Sequence, residues 1–227
     1  AIGRSAMSGG SGQLENSIAI GYASLYTTGS NASSGQIAIG YQACKALTSG
    51  TYNLAIGYNA MTTHTTGLRN TAIGYGVMDD TDAGSNSLDS DDNVFIGYDA
   101  GGGTWADAKS EFNVAIGNYA MDAAMNSCSS NVAVGYHSGG ALTTGNNNVF
   151  VGKNTGGVSS TASNCTYVGS ACGDSANTTA NTAMGYQALT DNAGVNNVCY
   201  GAYAGKIVTG GYNTLIGYQA DVDAAAD

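Results

Sequence analysis

Asn53-Leu54-Ala55-Ile56-Gly57-Tyr58-Asn59-Ala60 holds, in eight residues, the unit from which the chain is built. The core of it, Ala-Ile-Gly-Tyr or a near variant, returns with central glycines at Gly3, Gly21, Gly40, Gly57, Gly74, Gly97, Gly117, Gly135, Gly152, Gly169, Gly185, Gly201 and Gly217. The gaps are 18, 19, 17, 17, 23, 20, 18, 17, 17, 16, 16 and 16 residues, and thirteen copies at this period define a repeat architecture. Ile or Val precedes the glycine in all copies except those with Met184 and Tyr200, and Ile37, Leu54, Val94, Val132 and Val149 stand three before it. Two β-branched or aliphatic positions flanking a different class, usually Ala but Phe at Phe95 and Phe150, make a period-two pattern: a short strand with one buried face. The glycine ends the strand where a side chain would clash or φ must be positive. A small residue three further on (Ala43, Ala60, Ala100) suits a tight inner corner.

Asn recurs four residues before the glycine, at Asn53, Asn70, Asn93, Asn113, Asn131, Asn148, Asn181, Asn197 and Asn213. One Asn per coil predicts a stacked amide ladder, with a plain turn former as the alternative. Tyr follows the glycine in eight copies, and Tyr22, Tyr41, Tyr58, Tyr75 and Tyr98 form an aromatic column if the rungs keep register at about 4.8 Å. The reading is an all-β, single-stack β-solenoid of about 13 rungs spanning 1–220, with a tail at 221–227 and insertions at 77–93 and 101–113. Because the chain begins inside a motif, it reads as a segment of a longer solenoid. The thin rung argues for a parallel homotrimer, burying the Ala/Phe face of Ala55, Ala72, Phe95 and Phe150 against sister chains.

Composition narrows the function. The chain has 227 residues, with 35 glycines, no proline, 10% charged and 43% hydrophobic residues. Without proline or a three-residue glycine period it is not collagen, and its hydrophobic content opposes disorder. No run is long and apolar enough to be a membrane span, and Ala1-Ile2-Gly3-Arg4 does not open a signal peptide. A net charge of −10 gives no basic face for nucleic acid or anionic membrane. The five cysteines lack zinc-type CxxC pairs and read as small buried hydrophobes; only Cys165 and Cys172 lie close in sequence.

Asn16-Ser17-Ile18-Ala19-Ile20-Gly21 resembles the head repeat of trimeric autotransporter adhesins of the YadA type. Thr143 through Thr155 resembles the longer repeats of viral tail fibres. This resemblance covers essentially the whole chain and implies a trimeric β-solenoid on a bacterial or virion surface, extracellular, meeting a host receptor or glycan. No Ser-His-Asp or Cys-His motif, phosphate loop or redox CxxC appears, so neither an enzyme nor a cofactor is expected.

Three other function classes fall short. Ile39-Gly40-Tyr41-Gln42-Ala43-Cys44 fits the hexapeptide unit of left-handed β-helix acyltransferases, but only one hexad occurs per rung. Their chemistry also needs a histidine, and His64 and His137, both among Thr, Ser and Gly, read as exposed loop residues. Polysaccharide cleavage needs paired carboxylates, which the two glutamates do not supply. Thr-Thr pairs at 27–28, 62–63, 65–66 and 143–144 bring ice binding to mind, but no regular Thr-x-Thr ladder forms. Within the insertions, Asp79, Asp80, Asp82 and Asp89 are candidate calcium ligands, with a solvated acidic loop as the alternative. Trp105, the only tryptophan, follows Gly101-Gly102-Gly103, and with Asp91 and Asp92 it is the candidate receptor or glycan site.

Overall fold

The computed structural model describes residues 1–9, 14–27, 34–81, 89–106, 108–174, 178–192 and 194–222. Among these, the strands are β1 (Ile18–Ile20), β2 (Ile37–Ile39), β3 (Leu54–Ile56), β4 (Thr71–Ile73), β5 (Val94–Ile96), β6 (Val114–Ile116), β7 (Val132–Val134), β8 (Val149–Val151), β9 (Thr166–Val168), β10 (Thr182–Met184), β11 (Asp191–Asn192), β12 (Val198–Tyr200), β13 (Ile207–Val208) and β14 (Thr214–Ile216). Twelve of them form one parallel sheet in chain order, and β11 pairs with β13 alone. Twelve stacked strands enclose eleven full turns, and the first sequence copy adds isolated bridges from Ile2 to Ile20 and from Gly9 to Thr27. The register never slips: Leu54, Ala55 and Ile56 face Thr71, Ala72 and Ile73, which face Val94, Phe95 and Ile96. The chain is thus an all-β, single-stack parallel solenoid.

The faces of the strand are the reverse of the expectation. The middle residue points inward: Ala55, Ala72, Phe95 and Phe150 are fully buried within the single chain. The flanking Ile, Val, Leu and Thr point outward, and Ile18, Ile20, Ile116 and Met184 are exposed. A period-two pattern says that one face is buried but not which, because both classes here are apolar. The corner side chains decide it: Met61, Met78 and Met121 already fill the lumen beside the strand, which leaves alanine-sized space at its centre.

The lumen is filled by a volume rule between the strand centre and the residue six positions later. Ala55 is followed by Met61, Ala72 by Met78, and Ala115 by Met121. Where the centre is large, that later position is glycine: Phe95 with Gly101, Phe150 with Gly156, Tyr167 with Gly173. A Cβ on Gly101 would sit 2.7 Å from Phe95 Cδ1. Gly139, on the Ala133 rung, leaves space instead for Phe150 of the next rung, 3.1 Å from where its Cβ would be.

The corner is built from left-handed residues. After Gly57 (φ 139°) come Asn59 (57°) and Met61 (54°), and the pattern repeats at Gln42 and Cys44. This double reversal turns the Met61 side chain back into the lumen. A third such position precedes each buried Asn, at Tyr52, Arg69, Asp92 and Phe112. These conformations cost about 1–3 kcal/mol for a non-glycine residue, so the inter-rung bonds on both sides must hold them. Gly57 N donates to Ile39 O at 2.8 Å and Asn59 N to Tyr41 O at 2.9 Å.

The recurring asparagine forms a buried ladder rather than a plain turn. Asn70 Nδ2 donates to Asn53 Oδ1 (3.3 Å) and to Ser90 O (2.8 Å), while Asn70 N also donates to Asn53 Oδ1 (2.8 Å). The same set repeats at Asn93, Asn113, Asn131 and Asn148. Gln36 begins the run, with its Oε1 accepting from Asn53 N (3.1 Å). Cys165 interrupts it: its N–H takes Asn148 Oδ1, and its thiol donates to Thr178 O in place of an amide.

Candidate functional site

Two features project from the corner after the glycine. The first is the tyrosine column. Tyr22, Tyr41, Tyr58, Tyr75 and Tyr98 stack at centroid spacings of 4.8–5.2 Å with planes within 14°. Asn118 then takes the tyrosine position, and Tyr119 and Tyr136 continue edge-on. These rings stay partly exposed, between 39% and 51% for Tyr41, Tyr58, Tyr75 and Tyr98, so the column is a surface and not a core.

The second feature is the pair of insertions, which leave adjacent rungs and meet. Trp105 N donates to Asp80 O (2.9 Å), and Thr104 Oγ1 donates to Asp80 Oδ2. Trp105 itself is not displayed. It is fully buried, its Nε1 donates to Gly101 O (2.9 Å), and its ring packs at 5.8 Å against Phe95. Its indole face is therefore closed to any glycan, and that part of the expected site is corrected. The glycine run misled because it reads as a hinge, whereas Gly101 makes space for Phe95. Trp105→Ala is expected to lower the unfolding midpoint and leave surface binding unchanged, checked by urea unfolding beside a binding assay.

The aspartates are dispersed along the rungs. Asp79 lies near Asp99: their Oδ2 and Oδ1 atoms flank the Gly76 Cβ direction at 3.4 and 3.3 Å. Burial, then the charges of Asp99 and Asp80, raises the Asp79 carboxyl from 3.8 to about 6. Asp89 Oδ1 accepts from Thr66 Oγ1 (2.6 Å). Asp91 accepts from Leu68 N (2.6 Å) and Lys109 Nζ (3.0 Å). Asp92 forms a two-point pair with Arg69, at 2.6 and 2.8 Å. Among the described residues no three His, Cys, Asp or Glu side chains come together as a metal would require; Asp82 lies outside the described residues. The described part of the proposed calcium set, Asp79, Asp80 and Asp89, is thus not assembled into one site.

A groove opens where these bonds converge. It has a volume of about 580 Å³ and is lined by Ser49, Thr66, Leu68, Asp89, Asp91 and Lys109. Ser49, Thr66, Asp89 and Lys109 all stand eight residues before a central glycine, on four successive rungs, so the groove runs along the solenoid axis. Lys109 is held by Asp91 and also by Glu111 (3.2 Å). One column away, Tyr52 (65% exposed), Arg69, Asp92 and Phe112 (53% exposed) follow one another on the same rungs. Sequence reasoning found Asp91 and Asp92 but missed Lys109, Thr66, Tyr52 and Phe112; their shared position within the repeat was the available signal.

His64 is also corrected: it is fully buried, not exposed. Its Nε2 lies 3.3 Å from Asn70 Nδ2 and its Nδ1 3.1 Å from Thr81 Oγ1. Burial lowers its pKa from 6.5 to about 4. Between these two values the unfolded chain binds a proton that native His64 refuses, so its contribution to stability is present above about pH 6.5 and lost as pH falls toward about 4. The shift corresponds to about 3 kcal/mol. Asp79 acts with the opposite sign, since its native carboxyl takes up a proton below about pH 6 and before the unfolded chain does. The urea midpoint of the wild type should therefore drop more between pH 7 and 5 than that of His64→Gln; parallel drops would refute this.

His137 is on the surface, 3.9 Å from Asp122. All five cysteines are free and buried, and burial raises Cys44, Cys128 and Cys172 to about 12, which suppresses the thiolate. No protein-family model, curated protein or solved structure matches the chain.

Proposed function

We propose that this chain is a structural attachment segment: a β-solenoid of a viral tail fibre or similar surface appendage that carries contact with a host cell. The observation that supports this most is a rigid axial stack, twelve parallel strands in one register, with long polar and aromatic columns on its outside. Such a rod suits the display of a repeated surface over a distance better than the enclosure of a substrate. It acts as a homotrimer. The apolar surface for assembly is the outward row of Ile, Val and Leu on the sheet rather than the buried Ala/Phe row, with Ile18, Ile20, Ile116 and Ile216 exposed on it. The head of a cell-borne trimeric adhesin is the second reading, favoured by the same outward row. Ice binding is disfavoured because that row carries Thr only at Thr71, Thr166, Thr182 and Thr214, never as Thr-x-Thr.

Attachment is tested by sedimenting intact bacterial cells with labelled protein. The expected result is saturable retention that unlabelled protein competes away. Retention that never saturates, on any surface type, would count against the proposal.

A further inference from the structure

We infer that the groove between Ser49 and Lys109 binds a neutral oligosaccharide lying along the solenoid axis; this rests on the attachment reading and names its ligand class. The groove is large enough for a small ligand at about 580 Å³ and spans four rungs, roughly 14 Å at about 4.8 Å per rung. A glycan laid along that axis meets Ser49, Thr66, Asp89 and Lys109 in turn, one from each rung.

The lining matches hydroxyl chemistry. A sugar hydroxyl both donates and accepts, and the groove offers carboxylate acceptors (Asp89, Asp91), an ammonium donor (Lys109) and two hydroxyls (Ser49, Thr66). These groups are pre-positioned. Asp91 is pinned by Leu68 N and Lys109, and Thr66 bonds Asp89 through Oδ1 only, leaving an exposed residue with a second carboxylate oxygen. Binding therefore requires little new ordering of side chains. The neighbouring column adds Tyr52 and Phe112, exposed aromatic rings at the two ends of the Arg69–Asp92 pair, against which the apolar C–H face of a sugar can lie.

Charge selects the class. Lys109 is already matched by Asp91 and Glu111, and the chain carries a net −10, so uronic or sialic acids meet repulsion.

The test titrates the full chain with cellotetraose, laminaritetraose and maltotetraose, with tetragalacturonate as the acidic comparison, by calorimetry and saturation-transfer NMR. At least one neutral tetrasaccharide should bind saturably. Asp89→Ala and Lys109→Met, both at solvent-accessible side chains, should each weaken it at least tenfold while the melting temperature holds. The inference is overturned if no neutral tetrasaccharide binds, if tetragalacturonate binds as well, or if both variants bind like the wild type. Attachment fails separately: cells that retain Asp89→Ala and Lys109→Met as well as the wild type leave attachment standing without the groove. A groove that binds sugar in protein no cell retains leaves the reverse.

Discussion

Gly57→Ala is expected to lose about 2–6 kcal/mol of stability, combining a backbone region nearly closed to side chains with an overpacked contact. Gly57 has φ 139°, and a Cβ there would lie 1.9 Å from Gly74 O and 2.6 Å from its carbonyl carbon. The obstruction is backbone, not a flexible side-chain end, so relief requires the Gly57 and Gly74 rungs to part, which breaks Gly74 N–Ile56 O and Gly76 N–Tyr58 O. Gly210 supplies the internal control: its added Cβ would meet only Asn213 Nδ2, at 3.9 Å, so Gly210→Ala should change stability by less than about 0.5 kcal/mol. Urea unfolding followed by circular dichroism checks both. Equal midpoints for the two variants would refute the close-contact account of the glycine column.

The second large effect is a rescue. Phe95→Ala alone empties the lumen and should cost about 3–5 kcal/mol. Gly101→Met alone drives a side chain into Phe95, 2.7 Å from the new Cβ, and should cost a comparable amount. Together they recreate the Ala-and-Met rung already present on either side, at Ala72 with Met78 and at Ala115 with Met121. The left-handed backbone at position 101 (φ 62°) is no obstacle, because Met78 (50°) and Met121 (49°) adopt it. The double variant should recover at least about 2 kcal/mol relative to the sum of the single losses, measured as a double-mutant cycle. Additive losses would show that the two positions do not share one volume.

These two experiments mark what was and was not legible in the sequence. Period, strand positions and inter-rung register all follow from the spacing of glycine and asparagine, because a slipped rung would break both columns at once. The Asn53–Asn70–Asn93 ladder follows for the same reason. The direction of the strand faces does not follow, since Ala and Ile are both apolar and only the lumen distinguishes them. The left-handed sites at Tyr52 and Phe112 carry no turn signature, because inter-rung bonds impose that conformation, not the residue. Trp105 and His64 were misplaced alike: neighbours rich in Gly or Thr read as exposed loop, yet Gly67 leaves room for His64 and Gly101 for the Phe95 ring on which Trp105 packs. Groove residues such as Thr66 and Lys109 are ordinary in sequence and become a set only through stacking.

The claim that the outward aliphatic row is the seam between copies is tested most directly by light scattering after size exclusion. The account predicts about 68 kDa, three times the chain's 22.6 kDa. A species of 22.6 kDa that keeps its β-sheet circular dichroism would contradict it.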